Sequence, residues 1–492
     1  MSKTIASQPL PVALPDSNRS RLVSRIVHLG CGAFHRAHQA LYAHELNQQF
    51  GSDWGICEVN LRSFGKTLID DLKKQDLLYT VAERGASGSE LKIVGSMTEA
   101  LLSDEDGVET ILEAMARPQT AIVSLTITEK GYCTTGSSGE LDLQHPEIRS
   151  DLQNPQQPTT AIGYITEALA RRRDRGLPGF TVLSCDNIRE NGRVARSAVL
   201  GLARARSPQL AEWIEQHASF PCTMVDRIVP AATPETLQEI ADSLGVFDPC
   251  AIACEPFRQW VIEDNFVAGR PQWEKVGAQL VADVVPFENM KLRMLNGSHS
   301  FLAWLGYLGG YQTIADTMAN PAYRQAALSL MLDEQAPTLS MPADVSLSDY
   351  AHKLIERFAN PALRHRTWQI AMDSSQKLPQ RLLDPVRQRL ACGASWAHLA
   401  LGIAGWMRYV EGVDEQGEPI EVVDPLLERF NQINQRYQGL ERVNALLAIE
   451  EIFGSDLPLN AEFVAAVTEA WQRLHASGAK AAVAMLSEEV NV

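Results

Sequence analysis

The stretch Arg25-Ile-Val-His-Leu-Gly-Cys-Gly-Ala-Phe-His-Arg36 indicates the fold of the first half of the chain. Its apolar run ends on Gly30, and from Ala33 onward the sequence has helical composition without a breaker. A strand, a glycine turn and a helix open the βαβ unit that binds nucleotides. Gly30 and Gly32 would let backbone amides approach a pyrophosphate at the start of the helix. The sequence therefore predicts a dinucleotide site at this turn.

The glycine motif of this turn is incomplete. His35 stands where the G-x-G-x-x-G pattern has its third glycine, so a plain tight turn is the alternative to a dinucleotide site. The polar residues after the turn favour the nucleotide, since Arg36 could pair with phosphate. The predicted cofactor contacts at the turn are Gly30, Gly32, Ala33, Phe34, His35 and Arg36.

Apolar runs and helical patterns alternate along the first half of the chain. Alternation of this kind favours a mostly parallel sheet with helices on both faces. The predicted fold class is α/β, with a Rossmann-type N-terminal domain. After the first strand, the strand candidates are 54–61, 78–82, 91–94, 121–126 and 180–185, and helical candidates between them include 107–116 and 161–173.

The character of the sequence changes near residue 284. Beyond it the β-branched runs become fewer, and long helical stretches separated by proline or glycine replace them. A chain of 492 residues is too long for one ordinary core. We predict a leader at 1–24, a Rossmann-type dinucleotide-binding domain at 25–284 and a mainly α-helical substrate and catalytic domain at 285–492. The helical candidates are 323–334, 347–358, 396–409, 442–452 and 460–475.

Composition and charge argue against several classes of function. Apolar residues make up 45% and charged residues 21%, the balance of a globular protein, and the formal net charge is −16. Such a charge opposes binding to nucleic acid or to an anionic membrane surface. Residues 1–20 lack the apolar core of a signal peptide, and the longest apolar run, 301–311, is shorter than the ~18 residues of a membrane span. We expect a cytoplasmic monomer or small homo-oligomer that acts on small molecules.

The cysteines do not form a metal or disulfide pattern. All eight are scattered, without a C-x-x-C pair or histidines at zinc spacing. Cys250 and Cys254 lie close together in the sequence, but no further ligand accompanies them. We expect reduced, mostly buried thiols, no disulfide and no metal site.

The segment after the second predicted strand should distinguish NAD from NADP. An acid there binds the ribose 2′-hydroxyl of NAD, whereas an arginine accommodates the 2′-phosphate of NADP. The segment reads Asn60-Leu-Arg62-Ser-Phe-Gly-Lys66, while Glu58 lies within the strand. We predict Asn60 and Arg62 as cofactor contacts. These residues alone leave both cofactors open.

The stretch Glu288-Asn-Met-Lys-Leu-Arg-Met-Leu-Asn-Gly-Ser-His299 carries the candidate chemistry. On an α-helix, Lys291, Asn296 and His299 fall within an arc of roughly 140° and about 12 Å of axis. A solvated amphipathic helix is the alternative interpretation. Beside a cofactor fold, these groups favour hydride transfer, in which a base takes the hydroxyl proton as hydride leaves carbon. Lysine does so only where burial or nearby positive charge lowers its pKa from ~10.4.

Three further polar clusters interrupt apolar surroundings. Their charges are costly to bury unless they are paired or used, so structural pairing and function are both possible interpretations. The clusters are Ser184-Cys-Asp-Asn-Ile-Arg-Glu-Asn191, Thr223-Met-Val-Asp-Arg-Ile-Val-Pro230 and Glu255-Pro-Phe-Arg-Gln-Trp260 with its continuation to Asn265.

Four of these motifs together resemble the mannitol dehydrogenase family of polyol-specific long-chain dehydrogenases. They are Gly30–Gln39, Ser184–Asn187, Thr223–Pro230 and the K-x-x-x-x-N-x-x-H element from Lys291 to His299, and the resemblance covers nearly the whole chain. Within the family, the resemblance is greatest to the fructuronate reductase (D-mannonate oxidoreductase) branch. The stretches that carry this resemblance are Thr126–Tyr132, Cys254–Trp260 and Gly402–Tyr409.

The resemblance implies NAD(P) as cofactor, no catalytic metal and a role for each motif residue. Lys291 would be the general acid/base, and His299 would orient the substrate. Asn187 and Asn296 would hold the reacting oxygen. The remaining implied roles are a substrate hydroxyl contact for Asp226 and proton gating for Glu288. Mannitol-oxidising members carry an acid after the second strand, which is absent here, so the NAD preference rests on the branch.

The implied reaction interconverts D-fructuronate and D-mannonate. A keto-uronate carries a carboxylate, for which Arg364, Lys377 and Arg258 are the candidate cationic partners. One alternative is a polyol 2-dehydrogenase that acts on mannitol or arabinitol. Another is a dinucleotide-binding regulator without turnover, against which the lysine, asparagine and histidine spacing argues, since a sensor needs no base.

Overall fold

The structure is a computed structural model that describes residues 10–15, 17–135 and 139–489. The predicted leader at 1–24 therefore lies partly outside the described residues; within it, Ser17–Arg21 forms a 3-10 helix. The chain divides into two compact units after Val285, residues 1–285 and 286–492. Each unit is described separately below.

The first unit is built on a five-stranded sheet with all pairings parallel. Its strands are β1 (Val23–Leu29), β2 (Trp54–Asn60), β5 (Met97–Leu102), β6 (Ile122–Leu125) and β9 (Thr181–Ser184). They follow the order β5-β2-β1-β6-β9, a doubly wound order that reverses between β1 and β6. The predicted α/β class and mostly parallel sheet are thus confirmed.

The remaining strands of this unit form smaller sheets. These strands are β3 (Tyr79–Gly85), β4 (Gly88–Val94), β7 (Thr134–Thr135), β8 (Glu140–Leu141), β10 (Thr223–Asp226), β11 (Ile252–Cys254), β12 (Gln259–Glu263) and β13 (Gln279–Val281). β11 pairs parallel with β3, which pairs antiparallel with β4; β10 pairs antiparallel with β12, which pairs parallel with β13. β7 and β8 form a short antiparallel pair.

The parallel sheet is buried on both faces. Along β1, Ile26 belongs to one buried apolar cluster, while Val27 and Leu29 belong to another, because successive side chains point to opposite faces. Helices cover both faces, as expected for a parallel sheet. The helices of this unit are α1 (Ala33–Ala37), α2 (Gln39–Phe50), α3 (Lys66–Lys74), α4 (Ser103–Asp106), α5 (Val108–Ala116), α6 (Pro146–Gln153), α7 (Ala161–Asp174), α8 (Asn191–Arg206), α9 (Pro208–His217) and α10 (Pro234–Leu244).

The second unit consists of helices in its described part. Three π-helical segments interrupt them, at Lys291–Gly297, Leu330–Gln335 and Pro379–Leu383. The first helix starts at the last residue of the first unit. The helices are α11 (Val285–Met290), α12 (Ser298–Leu308), α13 (Ile314–Ala319), α14 (Pro321–Ser329), α15 (Leu347–Phe358), α16 (Thr367–Ala371), α17 (Ser374–Leu378), α18 (Asp384–Ala391), α19 (Ala397–Tyr409), α20 (Leu427–Arg436), α21 (Gly439–Leu447), α22 (Glu450–Phe453) and α23 (Ala461–Glu489).

No helix of the described residues combines the length and the apolar character that crossing a membrane requires.

All eight cysteines lie in the described part of the chain and are free, seven of them buried and Cys392 exposed. Burial raises the pKa of the Cys254 thiol to about 12 and that of Cys133 to about 11, which keeps both protonated at neutral pH.

Candidate dinucleotide cavity and catalytic helix

A cavity of about 440 Å³ opens at the carboxyl ends of β1, β2 and β6. This is the edge of a doubly wound sheet where ligands bind, beside the point at which the strand order reverses. Of the predicted cofactor contacts, the structure brings six together on its wall: Gly30, Gly32, Ala33, Arg36, Asn60 and Arg62.

Gly30 and Gly32 serve the turn in different ways. Gly30 has φ +104°, and a Cβ there would lie 2.1 Å from the backbone oxygen of Thr126, so only glycine fits. A Cβ on Gly32 would have one neighbour within 4 Å, the backbone oxygen of Gly30 at 3.8 Å. The space beside Gly32 is therefore open. Gly30 therefore shapes the turn, while Gly32 leaves room for a group in the cavity.

Replacing Gly30 by alanine is expected to lower the free energy of unfolding by about 2 kcal/mol or more and to abolish dinucleotide binding, because strained φ and a clash act together. Gly51→Ala is the matched control, since Gly51 has φ +64° but a Cβ there would meet nothing within 4 Å. Urea unfolding and a dinucleotide titration measure both effects. Equal losses in the two variants would show that the contact with Thr126 is unimportant.

Phe34 and His35 do not lie on the cavity wall, and their prediction as cofactor contacts is not supported. The ring of Phe34 stacks on His38 at a centroid distance of 5.0 Å. His35 is buried, with Nε2 2.7 Å from a carboxylate oxygen of Glu58 and Nδ1 3.2 Å from Gln39. The short helix α1 thus directs both side chains toward other parts of the protein, whereas its first residue, Ala33, lines the cavity.

His28 is a supporting residue that sequence reasoning missed. Its ring stacks on His35 at 3.3 Å, and its Nε2 lies 2.9 Å from Thr126 Oγ1 and 3.1 Å from the carbonyl oxygen of Gly30. Burial is the main cause that holds the pKa of His28 well below its usual value, and the neighbouring His35 lowers it further. The ring is therefore neutral. A histidine inside the apolar run of β1 was the available signal. With Glu58, it forms a polar layer beneath the glycine turn.

Arg36 and Asn60 reinforce the same turn from the cavity side. Arg36 donates hydrogen bonds to the carbonyl oxygens of Gly32 and Cys250. The side-chain oxygen of Asn60 accepts the backbone N–H of Cys31 at 2.9 Å. Both side chains are therefore committed to holding the backbone in place while they form part of the cavity wall.

Arg62 and Phe64 lie at the outer wall of the cavity, just after β2. Arg62 forms a two-pronged salt bridge with Glu147, at 2.7 and 2.8 Å. Phe64 is 89% exposed although it is a large apolar residue. An exposed aromatic ring beside a charged pair is a suitable surface for a flat, polar-edged group such as an adenine base.

The segment after β9 places Asn187 next to a buried acid. Asp186 accepts hydrogen bonds from the backbone amides of Ile127 and Thr128 and from the hydroxyl of Tyr132. Burial raises the pKa of Asp186 against the effect of these donors. Asp186 thus holds the loop that follows β6, and Asn187 is exposed beside it.

In the second polar cluster, Asp226 and Arg227 are both buried at the end of β10. Arg227 donates to the carbonyl oxygens of Ala37 and Glu255 and pairs with the carboxylate of Glu83. For Arg227, the structural interpretation of this cluster is therefore correct.

The prediction that Arg258 binds a substrate carboxylate is not supported. Its guanidinium pairs with the carboxylate of Glu45 and stacks over the ring of Tyr42 at 4.2 Å. A partly buried arginine that is already neutralised by an acid offers little to a second anion. Its sequence cluster, next to apolar Trp260 and Val261, was compatible with either role.

Lys291 and Asn296 lie on a π-helical turn, Lys291–Gly297, rather than on a regular α-helix. Five residues are the hydrogen-bonding interval of a π-helix, so the two side chains are nearer to one side than α-helical geometry would place them. Lys291 is buried, with 9% exposure, and Asn296 is partly buried. Single π-helical turns within α-helices are frequent at functional sites.

His299 follows one turn later, on α12, in a mixed aromatic and cationic environment. It stacks on Phe358 at 4.8 Å and meets His365 edge-on at 4.9 Å. Burial holds the pKa of His299 well below its usual value, and the charges of His365 and Arg381 act in the same direction. The imidazole is therefore neutral and able to donate or accept a hydrogen bond at neutral pH.

Arg381 joins this cluster and was missed by sequence reasoning. It donates to the backbone oxygen of Asn296 at 3.3 Å and to Ser300 Oγ at 3.0 Å. A Cβ on Gly297 would lie 2.9 Å from the backbone oxygen of Arg381, so the glycine permits the two segments to touch. The 85-residue separation hid this contact from any sequence pattern.

Lys377 lies close enough to Arg381 to feel its charge. Burial and then Arg381 lower the pKa of Lys377 to about 8, with Asp373 and Asp424 acting in the opposite direction. Its ammonium donates to the carbonyl oxygen of Ile370. Among the described residues, neither Lys377 nor Arg381 forms a salt bridge. The pair is thus a partly buried cationic site suited to an anion.

Two other predicted residues of the second unit stand apart from this cluster. Arg364 is exposed, at φ +47°, and we do not retain it as a substrate contact. Glu288 is partly buried on α11, one helical turn before Lys291. Side chains three residues apart lie on the same side of a helix.

Family models match both units of the chain. The mannitol dehydrogenase Rossmann domain matches residues 24–275, and the mannitol dehydrogenase C-terminal domain matches residues 283–475.

Known proteins match over nearly the full length. The chain is 70% identical to the D-mannonate oxidoreductase of Escherichia coli (strain K12), covering 98% of this chain and 100% of that protein. It is 39% identical to the solved Pseudomonas fluorescens mannitol 2-dehydrogenase in ternary complex with NAD and D-mannitol, with a TM-score of 0.82, covering 97% of this chain and 98% of that one. A solved substrate-free D-sorbitol dehydrogenase is 34% identical, with a TM-score of 0.92, covering 98% and 100% of the two chains.

Proposed function

The chain belongs to the mannitol dehydrogenase family of oxidoreductases, and we propose that it interconverts D-fructuronate and D-mannonate with NAD(H) as cofactor. The observation that carries this proposal is the near-complete similarity, at 70% identity, to a D-mannonate oxidoreductase. The buried lysine on a π-helical turn and the cationic pair of the second unit support it independently.

The residues of the cavity fit a dinucleotide. The cavity lies at the sheet edge where dinucleotides bind in doubly wound folds, and the open space beside Gly32 leaves room for a phosphate group. Gly30, Gly32 and Ala33 would hold the pyrophosphate, and Phe64 would support the adenine. Bound NADH supplies the hydride that reduces the ketone. Residues 25–284 would thus act as the dinucleotide domain and residues 285–492 as the catalytic domain.

The proton is proposed to move through Lys291. In the direction of reduction, its ammonium gives a proton to the developing alkoxide; in oxidation, the neutral amine takes up the hydroxyl proton. Asn187 and Asn296 donate hydrogen bonds to that oxygen as its charge grows. Neutral His299 orients the sugar, and Glu288 passes protons between Lys291 and solvent.

The substrate carboxylate is proposed to bind Lys377 and Arg381. A fork of guanidinium donors matches the two carboxylate oxygens, and the ammonium adds a second charge. Asp226 would accept a hydrogen bond from a sugar hydroxyl. A neutral polyol would leave the two cations unused, which favours the sugar acid over mannitol or arabinitol.

We propose that the enzyme works in the cytoplasm, as a monomer or small homo-oligomer, with small molecules as its partners. Its net charge of −16 opposes nucleic acid, and its buried thiols suit a reducing compartment.

A substrate panel tests the proposal. Fructuronate, tagaturonate, fructose and xylulose are each supplied with NADH and with NADPH, and cofactor oxidation is followed. We expect turnover of fructuronate with NADH to exceed every other combination. Preference for fructose or xylulose would overturn the sugar-acid assignment in favour of a polyol dehydrogenase. Absence of turnover with tight NADH binding would favour a dinucleotide-binding regulator.

A further inference from the structure

Arg62 and Glu147 form a charged pair on the wall of the dinucleotide cavity. Arg62 follows β2, whereas Glu147 lies in the first turn of α6, 85 residues later in the chain. Each guanidinium nitrogen of the fork meets one carboxylate oxygen, at 2.7 and 2.8 Å. The side chains are 49% and 36% exposed, so a bound molecule can reach the pair.

The arginine of this pair occupies the position that distinguishes the two nicotinamide cofactors. By itself, an arginine after the second strand accommodates the 2′-phosphate of NADP. Here the two terminal nitrogens of the guanidinium, Nη1 and Nη2, already hold the carboxylate of Glu147. A 2′-phosphate would have to displace Glu147 from these two nitrogens or use another N–H of Arg62, and in either case it would lie beside the negative charge of Glu147.

Glu147 is held in place by the surrounding fold. The next residue, Ile148, is fully buried in the apolar core under the sheet. On the same helix, Asp151 accepts hydrogen bonds from Thr159 and Thr160, which also line the cavity. The hydrogen bond from Arg62 keeps the pKa of Glu147 below its usual value, so the carboxylate is ionised at neutral pH.

We propose that Glu147 determines the cofactor specificity of this enzyme by neutralising Arg62 and repelling the 2′-phosphate of NADP. The acid that selects NAD is thus supplied by α6 rather than by the end of β2. This inference rests on the proposed function, in that the cavity must bind a dinucleotide.

The test compares Kd values for NADH and NADPH in the wild type and in Glu147→Gln, measured by the fluorescence of the bound cofactor. We expect NADPH affinity to rise roughly tenfold in the variant, because Arg62 becomes available to the 2′-phosphate. NADH affinity should change by less than about threefold, which also shows that the variant is folded.

Glu105→Gln is the matched control. Glu105 has 35% side-chain exposure and forms a salt bridge with Lys66, a few residues after Arg62, but it does not line the cavity. The same loss of one negative charge there should leave both Kd values unchanged. An equal gain in NADPH affinity from this control would mean that only the overall charge matters, and the inference would fail.

The double variant Arg62→Ala with Glu147→Gln completes the cycle. The gain in NADPH affinity should disappear, since it requires the released guanidinium. If the gain in NADPH affinity persists without Arg62, the proposed role of Glu147 is wrong. The same holds if Glu147→Gln binds NADH normally but shows no gain in NADPH affinity. Neither outcome affects the proposed cofactor. A wild-type protein that binds neither NADH nor NADPH overturns the proposed cofactor as well.

Discussion

Replacing Lys291 by alanine is expected to lower kcat for fructuronate reduction by about 10²- to 10⁴-fold, the usual contribution of a positioned general acid or base. NADH affinity should stay near the wild-type value, because the dinucleotide cavity is formed by residues of the first unit. Lys291 is buried on its π-helical turn, and the alanine leaves no other amine in that place. Stopped-flow single turnovers separate this chemical step from product release.

Two controls make the loss specific to proton transfer. Lys353→Ala removes an exposed lysine of α15 and should leave kcat unchanged. In Lys291→Ala, a small primary amine added to the buffer should restore part of the rate, since it can enter the space left by the side chain. Normal turnover in Lys291→Ala would contradict the mechanism. A lost rate together with lost NADH binding would indicate misfolding instead.

The variant Arg381→Ala is expected to raise KM for fructuronate roughly ten- to a hundredfold, the range of a lost hydrogen bond to a charged group. KM for a neutral ketose such as fructose should hardly change. Lys377→Met should act in the same direction, whereas the exposed Arg364→Ala should have no effect. If Arg381→Ala raised KM for the neutral and the acidic substrate equally, its role would be to support Asn296 and Ser300 rather than to bind the carboxylate.

The pH dependence of KM gives a second measure of the same site. Lys377 has a pKa of about 8, so its ammonium carries a charge below that pH and loses it above. KM for an anionic substrate should therefore rise as the pH increases through about 8. Lys377→Met should remove that rise, whereas wild type and Arg364→Ala should keep it.

The parallel sheet was predictable because its strands read as short apolar runs. β6 and β9 are buried along their whole length, and β1 and β2 are buried in their central residues, as is typical of parallel strands covered on both faces. β5 was missed, since Met97-Thr-Glu-Ala-Leu-Leu102 has many helix-forming residues. Pairing with β2 decides its structure, and sheet context routinely outweighs propensity of this size.

The helices of the second unit were predicted in kind but less well at their ends. Residues 347–358 match α15, whereas the single helix expected at 442–452 is two, α21 and α22. The π-helical turn at Lys291 was not foreseen, because its residues have ordinary helical composition. At Gly297, within this π-helical turn, the chain packs closely against Gln335 and Arg381. Such tertiary contacts cannot be inferred from local helix propensity.

By itself, the sequence determined the fold class, the glycine turn and the residues of the Lys291 element, because each depends on neighbours within about a dozen positions. Only the tertiary structure decided which charged side chains are neutralised by a salt bridge and which can bind an anionic ligand. Arg258 is neutralised by Glu45, Arg62 is held by Glu147, and Arg381 makes no salt bridge among the described residues. These pairings join residues far apart in the chain, and the energy of a charge depends on what the fold brings beside it.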